Sequence, residues 1–146
     1  MVIYYIFKYC DLCVKYMKEL YICSASKLKK TQAWKTLSLL VRTEEKGKCF
    51  TCGKVNPIKK CHAGHFVQAG GHSGTIFDRK NVHCQCLNCN LYKSGNLLIY
   101  NDKMIELYGE EEVKALRRRA NEYCKGYTKE QLKELNEFFK ELLSRL

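Results

Sequence analysis

The segment Asn81-Val-His-Cys-Gln-Cys-Leu-Asn-Cys-Asn90 decides the interpretation of this chain, because it contains a Cys-x-x-Cys pair that ends against an asparagine. A second pair, Cys49-Phe-Thr-Cys52, lies upstream. Four thiolates at this spacing are typical of a closed tetrahedral zinc site, with Zn–S distances of about 2.3 Å and no open position. We therefore predict a structural Zn²⁺ ion bound by Cys49, Cys52, Cys86 and Cys89.

Three side chains between and beside these pairs suit the hydrolysis of a phosphodiester. His65 can deprotonate a water molecule, because imidazole titrates near neutral pH. Asn90 offers a hard amide oxygen, a ligand that Mg²⁺ accepts while it keeps most of its waters. Asn81 is placed to hydrogen-bond the backbone that carries His65. This hypothesis requires His65 and Asn90 to face the same scissile bond.

The net charge of +11 is concentrated near these residues. Residues 1–101 carry 16 basic and 5 acidic side chains, whereas residues 102–146 carry 10 of each. A positive excess around the Cys/His/Asn cluster predicts a nucleic-acid partner, which we expect to be DNA. The candidate phosphate contacts are Lys54, Lys59, Lys60, His72, Arg79, Lys80 and Lys93.

Ten cysteines are also compatible with a secreted disulfide scaffold. The apolar run at residues 2–7 is too short for an export signal, however, and no run approaches the length of a membrane-spanning helix. We therefore expect a cytoplasmic protein with reduced thiols and no membrane partner. Cys10, Cys13 and Cys23 are expected to be unpaired thiols, because no fourth ligand for a second metal site is evident.

Hydrophobic spacing and capping residues predict an α+β fold that is mostly helical. Short strands are expected at residues 61–67 and 81–85, and the start of a helix at residues 86–93. Stapled by zinc, these elements make a small ββα-metal module. Further helices are predicted at residues 27–42 with Ser26 as N-cap, at 97–108 ending at Gly109, at 110–123, and after a capping box at Thr128–Gln131.

The last predicted helix carries an apolar stripe that steps by three and four residues, at Leu132, Leu135, Phe139, Leu142 and Leu146. A seam of this kind has two interpretations. It packs on the helix's own domain, or it joins two copies of the chain in a homodimer. The sequence leaves both open.

The cysteine pairs, His65, Asn81 and Cys89-Asn90 together resemble the HNH (His-Asn-His/Asn) endonuclease motif. Blocks such as Ala63-Gly-His-Phe66 are similar to the NinG/Rap recombination proteins of lambda-like phages, over about residues 27–146. The resemblance implies a structure-specific endonuclease of the Holliday-junction type in the host-cell cytoplasm. It also implies that His65 is the general base, that Asn81 orients it, and that Asn90 binds a catalytic Mg²⁺ or Mn²⁺ ion.

One departure from the HNH pattern concerns the cation. Many HNH enzymes place an acidic metal ligand immediately before the base histidine, and here that residue is Gly64. His83 is the leading replacement as a catalytic and cation-binding residue, because we expect it to share a strand face with Asn81. His62 and Asp78 are the weaker candidates.

These inferences predict three parts: an N-terminal extension at residues 1–26, a zinc-bound, HNH/treble-clef-like nuclease core with its leading helix at 27–101, and C-terminal helices at 102–146. The alternative function is a non-catalytic, zinc-stabilised nucleic-acid-binding adaptor in recombination, which needs neither His65 nor Asn90. A thiol-redox protein is a third class, and a measured zinc content would exclude it.

Overall fold

The computed structural model describes residues 21–70, 73–122 and 124–146, so that the predictions for Cys10, Cys13 and His72 lie outside the described residues. The described residues form helices around one two-stranded antiparallel sheet. The elements are α1 (Ala25–Leu28), α2 (Gln32–Glu44), β1 (Cys61–His65), β2 (Val82–Cys86), α3 (Leu97–Tyr108), α4 (Glu110–Asn121) and α5 (Lys129–Ser144). Within these residues, no helix is both long and apolar enough to span a bilayer.

Strands β1 and β2 lie where the sequence predicted them and pair from Cys61↔Cys86 to His65↔Val82. Side chains alternate between the two faces of a strand, and directly paired residues share a face. The hairpin therefore has two distinct faces. The α2 face carries Cys61, Ala63, His65, Val82 and Cys84, and the polar face carries His62, Gly64, His83 and Gln85.

Helix α2 begins later than predicted, so the N-cap assignment to Ser26 was wrong. The N-cap is Thr31, whose hydroxyl accepts a hydrogen bond from the backbone N–H of Trp34 at 3.3 Å. The same hydroxyl donates to the carbonyl of Leu28 at 2.7 Å, which closes the short helix α1. A threonine that satisfies both helix ends competes with a continuous helix, and this explains the break.

The main core lies between the α2 face, α2 and α5, and it includes the predicted stripe of α5. Leu132 and Phe139 are buried in this core, and Leu135 and Leu142 are partly buried against it. Leu146 is 64% exposed and lies outside the packed part of the stripe. The stripe thus packs on its own domain, as the first of the two interpretations predicted.

One buried polar contact fixes how α5 lies on α2. The hydroxyl of Thr36 donates to Oδ1 of Asn136 at 2.7 Å, and both residues are buried. A buried hydrogen bond within an apolar interface is directional, so it favours one alignment of the two helices over others that bury similar apolar area.

A second core packs α3 and α4 behind the hairpin and contains Phe66, Tyr100, Met104, Val113 and Leu116. The hydroxyl of Tyr100 donates to the carbonyl of Gly64 at 2.9 Å, which ties α3 to β1. Gly109 follows α3 with φ of 82°, as expected for a terminal glycine. The capping box predicted at Thr128 and Gln131 is also present.

The helix start predicted after β2 is present, but it is short. It is a single π-helical turn, Asn88–Tyr92, and the left-handed residues Ser94 and Asn96 follow it. The backbone N–H of Cys89 points to the sulfur of Cys86 at 3.4 Å. We attribute the short turn to Cys86 and Cys89, because both thiols must point to the position of the predicted zinc ion before the chain continues into α3.

Candidate metal centre and hairpin site

The four predicted zinc ligands are brought together by the fold. The sulfur atoms of Cys49, Cys52, Cys86 and Cys89 all lie within 4.8 Å of one another. The sulfurs of Cys52 and Cys86 are 3.8 Å apart, which is about the edge of a tetrahedron with Zn–S bonds of about 2.3 Å. The donor set and its spacing therefore fit a zinc ion, and four thiolates leave no coordination position open for substrate.

The first cysteine pair, Cys49 and Cys52, lies on a tight turn, the first knuckle of the candidate zinc site. Gly53 follows Cys52 with φ of 75°, and its N–H bonds to the carbonyl of Cys49 at 2.8 Å. Only glycine adopts this conformation without strain. The N–H of Phe50 bonds to the carbonyl of Cys84 at 2.7 Å, which holds the knuckle against β2.

His65, the predicted base, lies on the α2 face and is 8% exposed. Its ring stacks on Trp34 with centroids 4.8 Å apart and planes 11° apart. Its Nε2 lies 3.1 Å from the carbonyl oxygen of Ile76. A carbonyl only accepts hydrogen bonds, so Nε2 carries the proton and Nδ1 keeps the lone pair. Burial, helped by the positive charge of Lys29 and opposed by the hydrogen bond to Ile76, lowers the pKa of His65 to about 4, so the ring is neutral at pH 7.

Asn90, the predicted cation ligand, lies at the polar face. Its Nδ2 is 2.9 Å from Nδ1 of His62, and its Oδ1 lies beside Gly64. The ring of His65 leaves the strand on the opposite face, towards Trp34. The structure therefore pairs Asn90 with His62, a weaker candidate in the sequence argument, and does not bring Asn90 and His65 to one face of the hairpin.

Asn81 is fully buried and bonds the segments on both sides of the site. Its Oδ1 accepts from the N–H of Val67 at 2.7 Å. Its Nδ2 donates to the carbonyls of Val67 and Thr75, both at 3.0 Å. Val67 follows His65 by two residues, and Thr75 precedes Ile76, the hydrogen-bond partner of His65. Asn81 thus makes the backbone contacts that the sequence argument assigned to it.

His83 is on the polar face but has other partners. Its Nδ1 is 2.7 Å from a carboxylate oxygen of Glu45, and the hydroxyl of Tyr108 lies 3.2 Å from its Nε2. Its ring stacks on Phe50 with centroids 4.0 Å apart. Both ring nitrogens are engaged, so the hypothesis that His83 replaces the acidic ligand is not supported by the geometry. Asp78 is likewise engaged, in an ion pair with Arg119 at 3.1 Å.

The candidate phosphate contacts fall into two groups. Arg79 is paired with Glu44, and Lys80 is paired with Glu112 at 3.2 Å. The other group is exposed and forms no ion pair with the described part of the chain; it consists of Lys54, Lys59, Lys60 and Lys93. The second group is the one free to contact a phosphate.

Two further side chains lie near the site. Gln85 is fully buried on the polar face, between two cysteines. Lys29 lies over the ring of Trp34, with Nζ 5.8 Å from the ring centroid. The sequence did offer a signal for Gln85, namely a polar residue in a strand that is otherwise buried. A buried amide needs several hydrogen-bond partners, so such a residue points to a polar site. The position of Lys29 follows only from the break between α1 and α2.

The chain is similar to curated phage proteins named protein ninG. It is 30% identical over 93 residues to that of Escherichia phage 933W, covering 63% of this chain and 46% of the relative. It is 29% identical over 93 residues to that of Escherichia phage lambda, covering 63% and 45%. The match to that of Salmonella phage P22 is 29% identical over 113 residues, covering 73% and 55%. The chain spans about half the length of these curated relatives.

No solved structure matches the chain. The family model described as "Bacteriophage Lambda NinG protein" matches residues 8–146. That match includes the four clustered cysteines and every residue of the hairpin. The chain therefore belongs to the NinG family of phage proteins.

Proposed function

We propose that this protein is a metal-dependent DNA endonuclease of the HNH type that acts on branched DNA. The observation that carries the proposal is the orientation of Asn90. Its Nδ2 donates to Nδ1 of His62, and this turns Oδ1 towards Gly64, the position where the HNH pattern has an acidic ligand. An amide oxygen held rigidly at this place suits a hard cation.

The residues present fit a divalent cation at this point. A Cβ built on Gly64 would lie only 2.9 Å from Oδ1 of Asn90, so the absence of a side chain at position 64 lets this oxygen approach the strand. Bound there, Mg²⁺ or Mn²⁺ would polarise the scissile phosphate and stabilise the charge that develops on it. In this proposal Asn90 is the ligand, and His62 is a positioning residue.

His65 is the proposed proton acceptor. Its Nε2–H is fixed by the carbonyl of Ile76, so that Nδ1 of a neutral ring is free to take a proton. The oxygen of a water attacks phosphorus, the water gives one proton to Nδ1, and the bond from phosphorus to the leaving oxygen breaks. Because His65 and Asn90 lie on two faces of β1, the phosphate has to lie across the end of this strand.

The charge of the chain supports DNA as the proposed substrate. The chain carries a net charge of +11, and exposed lysines without ion pairs among the described residues lie on the zinc-bound half. Salt-sensitive binding to DNA phosphates is expected of such a surface. Two symmetric nicks resolve a four-way junction, so activity on junctions requires a homodimer.

The test compares cleavage of four-way junctions, flaps, forks and linear duplex in Mg²⁺, Mn²⁺ or EDTA. Asn90→Ala is expected to abolish cleavage while zinc content and DNA binding persist. Asn88→Ala is the matched control, because Asn88 is an exposed asparagine in the same turn. Equal cleavage by wild type and Asn90→Ala removes Asn90 from the reaction. His65→Ala, assayed in the same way, tests the proton acceptor separately.

One observation favours the second candidate function, a non-catalytic zinc-stabilised nucleic-acid adaptor in recombination. His65 is buried against Trp34 on the face opposite to Asn90, which is also how a purely structural histidine packs. The adaptor predicts salt-sensitive DNA binding without cleavage in any divalent cation. The same substrate panel therefore decides between the two functions.

A further inference from the structure

Gln85 is fully buried on the polar face, directly opposite His62 in the strand register. Its Nε2 donates to the carbonyl of Gly95 at 2.7 Å and contacts the hydroxyl of Thr51 at 3.3 Å. These contacts fix the carboxamide, because exchanging its nitrogen and oxygen would set Oε1 against the carbonyl oxygen of Gly95. The direction of Oε1 is therefore determined by its surroundings.

That oxygen has no hydrogen-bond partner. Within the described ranges, Oε1 of Gln85 is a fully buried side-chain oxygen that no donor reaches. Leaving such an acceptor unsatisfied is unfavourable, and in native proteins it commonly marks the place of a water or an ion.

The oxygen points to the same place as Asn90. A Cβ built on Gly64 would lie 2.1 Å from Oε1 of Gln85 and 2.9 Å from Oδ1 of Asn90. The first distance is shorter than any real Cβ contact, so glycine is required at this position. Two carboxamide oxygens thus converge beside Gly64, each held by a nitrogen that is bonded elsewhere. A hard divalent cation satisfies oxygens arranged in this way.

We infer that Gln85 is the second protein ligand of the cation, in place of the acidic residue that is absent at position 64. The ion is bound by Oε1 of Gln85 and Oδ1 of Asn90, and water and phosphate complete its coordination. An all-oxygen protein ligand set suits Mg²⁺ and Mn²⁺. The inference rests on the proposed function for the presence of a catalytic cation, but its test does not depend on catalysis.

The first experiment measures Mn²⁺ binding to the zinc-loaded protein by electron paramagnetic resonance, without DNA. Gln85→Ala is expected to weaken Mn²⁺ binding about 10-fold or more. The double variant Gln85→Ala/Gly64→Asp is expected to restore it, because the carboxylate occupies the room that the carboxamide has left. Unchanged Mn²⁺ affinity in Gln85→Ala at full zinc content overturns the inference.

A second measurement needs no variant and so does not depend on whether Gln85→Ala folds. In ¹⁵N spectra of the wild-type protein, substoichiometric Mn²⁺ should broaden the side-chain amide signals of Gln85 and Asn90 first. The side-chain amide of Gln131, in the capping box of α5, is the internal control. A Gln85 signal that persists while Mn²⁺ binds, or wild-type protein that binds no Mn²⁺, overturns the inference.

The outcomes separate this inference from the proposed function. Mn²⁺ binding that depends on Gln85, together with no cleavage of any DNA substrate, supports the inference and removes the nuclease. Metal-dependent cleavage that requires Asn90 but is unchanged by Gln85→Ala, with unchanged Mn²⁺ affinity, keeps the nuclease and removes Gln85 from the site.

Discussion

The two faces of the β1–β2 hairpin use one backbone for different purposes. The α2 face packs Ala63, Val82 and Cys84 against the helices, and its polar member, His65, is stacked on Trp34. The polar face instead holds side chains in directional bonds to the zinc knuckle and α3; Gln85 contacts Thr51 there. Because strand side chains alternate, one step along β1 moves from the core to the candidate site.

This difference separates apolar packing from directional bonding. The α2 face depends on apolar burial, which is non-directional and tolerates small shifts. The polar face depends on the four-cysteine site and on hydrogen bonds of fixed geometry. We therefore expect it to unfold as a unit when that site loses its metal. The predictions below test this separation in order of decreasing effect.

The largest effect is expected from removal of a zinc ligand. Cys86→Ser should lose the zinc and unfold the hairpin, because metal binding to such sites is worth about 10 kcal/mol or more at neutral pH. Zinc content and thermal unfolding measure this. Cys23→Ser is the matched control, since Cys23 is an exposed thiol outside the cluster. A Cys86→Ser protein with one zinc per chain and an unchanged Tm would contradict the four-cysteine site.

Truncation in the main core should come next. Phe139 is 1% exposed and packs in the core with α2, whereas its neighbour Phe138 is 52% exposed. Phe139→Ala is expected to lower the free energy of unfolding by about 3–5 kcal/mol, and Phe138→Ala by about 0.5 kcal/mol or less. Urea titration of both variants checks the values. Equal losses would show that α5 does not pack as described.

The burial of His65 should make stability depend on pH. Its pKa is about 4 when folded, against 6.5 as the ordinary value. Between pH 4 and 6.5, His65 is therefore protonated in the unfolded chain but neutral in the folded chain. Stability is fully present above pH 6.5 and falls by about 3 kcal/mol as the pH drops to 4.

The measurement is urea unfolding followed by the fluorescence of Trp34, the single tryptophan, between pH 7 and 4. His65→Phe keeps a ring to stack on Trp34 but does not titrate. Between pH 7 and 4, the free energy of unfolding of the wild type should therefore fall by about 3 kcal/mol more than that of the variant. Parallel pH profiles for the two proteins would show that His65 is accessible to water and would contradict its burial against Trp34.

The sequence predicted what depends on local spacing. The two strands, helix α3 with Gly109, the capping box at Thr128 and the zinc cysteines follow from turn residues, periodicity and ligand spacing within short segments. The start of α2 could not be predicted in this way. Thr31 bonds to both Leu28 and Trp34 and breaks the helix there, and whether the helix breaks or continues depends on packing.

The hydrogen-bond partner of Asn90 could not be predicted from the sequence either. Asn90 can contact only the histidine of β1 that points to its side of the hairpin. The register between β1 and β2 decides whether this is His62 or His65. Likewise, the free oxygen of Gln85 follows from contacts to Thr51 and Gly95, which lie 34 and 10 residues away. Contacts of this range depend on tertiary structure, for which a single sequence gives no spacing rule.

The smallest effect concerns the cations around the site. Lys93 is exposed and forms no ion pair with the described residues, whereas Arg79 is paired with Glu44. If DNA runs past the polar face, Lys93→Ala should reduce the salt slope of DNA binding by about 1, because each phosphate contact releases roughly one counterion. Arg79→Ala should change the slope less, since its charge is already neutralised by Glu44. Fluorescence anisotropy on a four-way junction across a salt series measures both slopes, and a larger change for Arg79→Ala would place the DNA at Arg79 and not at Lys93.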